Sequence, residues 1–237
     1  MVYRADFHIL QMGTWGLFVK PVAWSYSALT AFENCPKAFY HTRVAKDVKD
    51  PPGETAMWGQ RVHKDLELRL KNKTPLPEHL EKFEPLCAKI EASPGRVFAE
   101  TKYCLNASLK PTEYFAKDAW VRAVIDVGVV NEPNAINLDW KTGKIKHDSL
   151  QLQLSAAIMM AAEPKVEKVS TGFVWLKDNK VVKETYTRAQ VPAIWQEFLP
   201  RVRRLEIAHE QNKWEARPSG LCKSFCAVTS CTHNGRK

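Results

Sequence analysis

The chain has 237 residues, 45% of them hydrophobic, with eight Trp and ten Phe spread along it. That is enough to bury a core without disulfides, and it excludes an intrinsically disordered chain. No run of about 18 uncharged apolar residues occurs, so no transmembrane helix is expected, while a formal net charge of +9 points first to a polyanion such as nucleic acid.

Residues 1–23 contain apolar stretches but no basic leader, no continuous apolar run and no small-residue cleavage site. They read as a strand or an ordered arm rather than a signal peptide. Without export, the expected compartment is the cytoplasm, where the six cysteines are thiols or metal ligands rather than bridges. Ser25 or Ser27 caps a helix over 28–40, with Leu29, Phe32 and Phe39 on its apolar side. A charged loop with Pro51, Pro52 and Gly53 leads to a helix over 56–71, striped by Val62, Leu66 and Leu70. A third helix covers 78–92 and ends at Ser93-Pro94-Gly95.

The period then changes from helical to alternating. Strands are expected over 97–106, 119–130 and 135–141, the last two joined by a turn at 131–134. A helix over 150–162, a hairpin over 169–176 and 181–187, and a long helix over 192–213 follow. The last turns Ile194, Phe198, Val202 and Leu205 inward and carries Arg201, Arg203 and Arg204 on its outer face. The expected fold is α/β (α+β): a central mixed sheet flanked by helices.

If the hairpin around Glu132 and Pro133 is symmetric, Asp126 faces Asp139 across the ladder. Two carboxylates so placed repel each other, and a divalent cation between them removes the conflict. Hard oxygen ligands suit Mg²⁺ or Mn²⁺. Lys141, two residues beyond Asp139, points to the same face, where an ammonium offsets charge on a phosphate or orients a water. Asp126 also sits inside the apolar run Ala123-Val124-Ile125-Asp126-Val127, and a charge placed there needs a reason. In the last sixteen residues Cys222, Cys226 and Cys231 crowd together. Three thiols need a fourth ligand, and both Cys35 and His233 are available.

Leu138-Asp139-Trp140-Lys141-Thr142-Gly143-Lys144 resembles the signature of the PD-(D/E)XK nucleases, in their RecB-like exonuclease branch. Other elements of that branch follow in order: the opening motif from Trp24 to Cys35-Pro36, Gly59-Gln60-Arg61-Val62-His63, Val121-Arg122-Ala123-Val124-Ile125-Asp126, and Gln151 at the start of its helix. The resemblance implies a restriction-endonuclease-like nuclease domain over 24–220, with 221–237 a cysteine tail packing back on Cys35. It implies Asp126, Asp139, His63 and the Trp140 carbonyl as metal ligands, with Glu100 a weaker fifth, and Lys141 and Gln151 as catalytic partners. Ser155 replaces the usual aromatic residue four positions after Gln151, and Ala123 replaces a frequent Gly.

Iron–sulfur members of the branch hold a 4Fe-4S cluster with one Cys before the core and three after it. By that resemblance Cys35, Cys222, Cys226 and Cys231 are the ligands here, although the tail spacing departs from the family's closer pair and keeps zinc, and His233, as alternatives. The implied activity is a metal-dependent DNA exonuclease acting on single strands or end-bearing duplexes. A stand-alone phage or mobile-element enzyme of replication or recombination is the expected setting. No ATP-binding loop of the Gly-x4-Gly-Lys-Ser/Thr type occurs. Lys144, Lys146, Arg201, Arg203 and Arg204 are the expected backbone contacts to DNA. The alternatives are a structure-specific endonuclease and a non-catalytic DNA-binding protein with a structural metal tail.

Overall fold

The computed structural model describes residues 22–146 and 148–236. The arm expected over 1–23 lies outside the described residues except for Val22 and Ala23.

Five strands form one sheet in chain order: β1 (Arg96–Asn106), β2 (Ala119–Asn131), β3 (Asn134–Lys141), β4 (Lys168–Trp175) and β5 (Lys180–Thr187). All neighbours are antiparallel except β3 and β4. A parallel pair needs a crossover, and helix α5 (Ser149–Ala162) supplies it. The expected mixed sheet flanked by helices is therefore present.

Two hydrophobic clusters cover the two faces. One is built on α1 (Tyr26–Asn34), α5 and α6 (Val191–Glu210). The other is built on α3 (Glu54–Asn72), a 3-10 turn (Glu78–Phe83) and α4 (Glu84–Glu91). The stripe Val62, Leu66 and Leu70 is buried in the second cluster, as its spacing requires.

The first predicted helix is interrupted. Ser25 caps α1 by accepting the Ala28 N–H at 3.3 Å, but the helix stops at Cys35, which is extended (φ −162°, ψ 105°). A residue before proline is driven out of the helical region, and Pro36 follows. The chain resumes as α2 (Pro36–Phe39) and a π-turn (Tyr40–Val44). The helix expected over 78–92 likewise begins as the 3-10 turn.

Strands β1 and β2 change faces midway. Val127, Val129 and Ala99 pack with the α3 cluster, whereas Ile125, Val121 and Tyr103 pack with the α5 cluster. Residues two apart on a regular strand share a face, so the regular pleat is broken between them. The break lies at Glu100 and Asp126. The ladder holds at Ala99–Val127 and Thr101–Ile125 but skips the pair between them, and Glu100 is left-handed at φ 44°. Such a conformation in a side-chain-bearing residue costs about 1–3 kcal/mol and persists only where the surroundings enforce it.

On the other edge of β2 the β3 ladder ends at Val127–Leu138, one pair before Asp126. The register is the symmetric one expected, yet Asp126 and Asp139 do not pair, because β3 leaves β2 there and continues beside β4. The freed edge of β2 is taken by Trp24, which bridges Val121 in parallel. Trp24 donates its N–H to the Trp120 carbonyl and accepts that of Arg122, each at 2.8 Å. This bridge places Ser25 and Tyr26 beside the opening between the strands.

No helix among the described residues is long and apolar enough to cross a membrane.

Candidate active site

The opening left by β3 gathers the acidic residues. Trp140 is buried on the α3 side, so alternation sends Asp139 and Lys141 to the α5 side. Asp126 stands at the divide. Its Oδ2 accepts the Trp140 N–H at 2.8 Å, replacing the ladder bond lost where the strands part. α3 approaches closely at Gly59, where a Cβ would come within 3.0 Å of Thr142 Oγ1. That approach brings in His63, one turn later, with Nε2 donating to the Trp140 carbonyl at 2.9 Å.

His63 Nδ1 then faces Asp126 Oδ2 at 3.3 Å and Glu100 Oε1 at 4.0 Å. One ligand atom each from His63, Glu100 and Asp126 lies within 4.8 Å of the others, a grouping able to hold a metal ion. Burial, and then the Asp126 charge, push the Glu100 carboxyl above its ordinary value. Burial opposes charge on the His63 imidazole, but Asp126 and Asp139 outweigh it and hold the imidazole above its usual pKa. Like charges kept close and partly dry are what a divalent cation relieves, and one nitrogen with carboxylate oxygens suits Mg²⁺ or Mn²⁺. The residues present therefore fit such an ion, with Glu100 more central than its sequence context suggested.

Asp139 is held separately. Gln151 Nε2 donates to its Oδ1 at 2.8 Å, and Gln151 Oε1 accepts from Lys141 Nζ at 3.1 Å. Lys141 Nζ also lies 2.7 Å from Asp139 Oδ2, in ion contact but without an aligned hydrogen bond. The ammonium sits 4.7 Å over the Phe173 ring. Burial first, then Asp126, push the Asp139 carboxyl up to about 6, against the pull of Lys141. Gln151 thus holds both partners of the Asp139–Lys141 pair.

A cleft of about 420 Å³ runs from Asp126, Asp139 and Lys141 past Gln151 to Tyr26, Tyr114 and Arg122. Ser155 lines it, its hydroxyl turned back to the Leu152 carbonyl at 2.9 Å, so the missing aromatic leaves the wall open. Tyr26 donates to the Asp148 carboxylate at 2.5 Å, a contact that single-sequence reading did not raise.

The expected DNA-contacting cations divide. Lys144 and Lys146 are exposed just after β3, next to the site. Arg201 is instead mostly buried and donates to both Glu33 oxygens, at 2.8 and 2.6 Å. Arg204 adds a contact to Glu33 at 3.3 Å, and Arg203 binds Glu210 at 2.7 Å and Glu206 at 3.4 Å. The outer face expected for all three arginines is thus corrected for Arg201, because Glu33 on α1 draws it inward.

The tail returns to Cys35. Lys37 N–H donates to the Glu215 carbonyl at 3.2 Å, and Arg217 N–H to Cys35 Sγ at 3.4 Å. Cys35, Cys222 and Cys226 line one cavity of about 1010 Å³, Cys231 is buried, and His233 is exposed. Among the described residues no three of these sulfurs gather as the His63 group does. Cys87 and Cys104 are buried elsewhere, and burial pushes the Cys87 thiol up to about 11.

No curated protein matches the chain by sequence. Among solved structures, SSO0001 is similar at 12% identity and a TM-score of 0.49, over 92% of this chain and 90% of that one. A Eubacterium rectale protein described provisionally as an exonuclease is similar at 14% identity and a TM-score of 0.47, over 84% of this chain and 85% of that one. The family model of the PD-(D/E)XK nuclease superfamily matches residues 23–231. That span runs from the strand-like start at Trp24 through the Asp139-Trp140-Lys141 run to the last cysteine, and the chain belongs to the PD-(D/E)XK nuclease superfamily.

Proposed function

We propose that the protein is a divalent-metal-dependent DNA exonuclease. The observation that carries the reading is the His63–Glu100–Asp126 group beside the Gln151-bridged Asp139–Lys141 pair. His63, Glu100 and Asp126 would hold the ion, with Asp139 and the Trp140 carbonyl alongside. When bound, the ion supplies Lewis acidity toward the phosphodiester and offsets its negative charge. Lys141 Nζ, fixed by Gln151, would offset charge on the phosphate and orient the attacking water. Exposed Lys144 and Lys146 hold the DNA backbone, with affinity that falls as salt rises. Processing of DNA ends in phage or mobile-element replication or recombination is the setting that suits such an enzyme.

Linear DNA incubated with the protein and Mn²⁺ should lose nucleotides from its ends, and the Asp139→Ala protein should leave it intact. Closed circular single-stranded DNA should resist, and its cleavage would assign an endonuclease instead. Equal activity of the variant would sink the assignment.

The same reading extends to the tail, where Cys35, Cys222, Cys226 and Cys231 would hold a 4Fe-4S cluster joining the two ends of the nuclease core. Its support is the cavity that Cys35, Cys222 and Cys226 share and two N–H groups aimed at sulfur, from Arg217 to Cys35 and from Ser219 to Cys222. A single tetrahedral zinc would draw four thiolates to about 3.8 Å from one another, whereas a bridging cluster spans a wider set. Visible charge-transfer absorbance with bound iron in an anaerobic preparation supports the cluster. A colourless protein with stoichiometric zinc overturns it.

A further inference from the structure

Beyond the metal group, one face of the sheet continues toward the loop joining β1 and β2. Cross-strand partners share a face, and the register pairs Lys102 with Val124 and Cys104 with Arg122. Arg122 and Val124 are two apart on the regular part of β2, so they point the same way, and the strand runs on to Asp126, where the pleat breaks. Four residues of strand place Arg122 about 13 Å from Asp126. The loop returns over this face and presents Tyr114 and Phe115, rings 5.1 Å apart at 84°. Lys102 Nζ lies 5.3 Å from the Tyr114 ring and 5.5 Å from the Phe115 ring. Arg122 Cζ lies 5.4 and 5.7 Å from the same two rings.

Two features separate this cluster from ordinary surface. Phe115 is 77% exposed, the most exposed large hydrophobic side chain among the described residues, so it contributes little to the core. Arg122 has no carboxylate partner among the described residues, and its Nε is buried without an acceptor. A guanidinium kept without an anion, beside an uncovered aromatic face, matches a ligand with a negative backbone and flat rings. Tyr114 and Arg122 line the same cleft as Asp126, Asp139 and Lys141, so the two places are continuous.

We propose that Lys102, Tyr114, Phe115 and Arg122 form a stacking clamp for an unpaired nucleotide of the strand that enters the metal site. A base stacks on Phe115, and its phosphate meets Arg122 and Lys102. At about 3.4 Å per stacked nucleotide, the separation from Asp126 spans up to about four nucleotides. A duplex keeps its bases stacked on each other and cannot offer one to Phe115, so the clamp selects single strands. This deepens the nuclease reading and rests on it for the direction of the strand.

The test is binding of the full-length protein to labelled oligonucleotides without divalent metal, so that cleavage plays no part. Phe115→Ala should weaken binding of a single-stranded oligonucleotide about 5- to 150-fold and leave a blunt duplex unchanged. Phe115→Trp should restore it. Arg122→Gln should lower the slope of affinity against salt by about one phosphate contact. Unchanged single-strand binding by Phe115→Ala, or equal loss for duplex and single strand, overturns the clamp. Loss of single-strand binding in a protein that never cleaves DNA with Mn²⁺ would keep the clamp and remove the nuclease reading. Normal cleavage with unchanged binding would do the reverse.

Discussion

At Asp126 the sheet is interrupted on both sides, and three acids, Glu100, Asp126 and Asp139, are held near one another, with His63 beside Asp126 and Lys141 beside Asp139. Along α6 the opposite holds: Arg201, Arg203 and Arg204 each have a carboxylate within 3.4 Å, in a regular helix. Both regions are dense in charge, but the carboxylates around Asp126 outnumber the cations beside them, whereas each of these arginines on α6 has its carboxylate. A compensated pair satisfies itself and contributes to the fold. An uncompensated group keeps its field available to a ligand, at the cost of backbone strain at Glu100 and perturbed carboxyls. The net charge of +9 therefore says less than which cations remain unpaired.

The sharpest break in this contrast is Asp126→Asn. It keeps an oxygen to accept the Trp140 N–H but removes a charge from the proposed metal group, and metal-dependent cleavage of linear DNA should fall at least about 100-fold. The reciprocal test is Arg201→Ala. Breaking its partly buried pair with Glu33 should cost about 2 kcal/mol by urea denaturation while leaving DNA affinity unchanged. Burial works against charge on Glu33, but Arg201 and Arg204 outweigh it and keep the carboxyl below its usual pKa. The stabilisation from that group is present above the unfolded pKa and is lost as pH falls through the lower folded one. Arg201→Ala should remove that acid-side loss.

Metal affinity should tighten as pH rises from 5 to 7, by up to about tenfold per unit for each proton displaced, because His63, Glu100 and Asp139 all hold protons above their ordinary pKa values. Titration of Mn²⁺ by calorimetry at several pH values measures this, and a flat profile would mean the ion binds elsewhere. The smallest effect is expected at Glu100→Gln. Removing one of the crowded charges should stabilise the metal-free protein by about 0.5 kcal/mol in the same denaturation assay while weakening its metal binding.

Much of the site was legible in the sequence because strand alternation and a symmetric turn fix register over short distances. Asp139 and Lys141 share a face for that reason alone, and the stripe Val62, Leu66 and Leu70 orients His63 on the helix. Gln151 was legible only through the resemblance of its segment, at the start of α5, to the family's helix motif. The Asp126–Asp139 pairing did not form because β3 exchanges β2 for β4 there, a choice made by the crossover helix. Glu100 entered only as the weakest ligand the resemblance implies, since nothing in its own segment announces a left-handed backbone. Arg201 looked like a surface cation because Glu33 lies far away in the chain.

Local order therefore came from the sequence alone: which segments are strands or helices, which residues alternate together, and that an acidic pair and a lysine sit on one hairpin. These depend on neighbours a few residues apart, whose spacing the chain carries explicitly. The tertiary structure decided where the sheet breaks, which carboxylates converge with His63, which arginines are neutralised, and that Arg122 lies beside two aromatic rings with no carboxylate partner among the described residues. Each of these depends on contacts between segments distant in sequence, where packing rather than periodicity sets the partner.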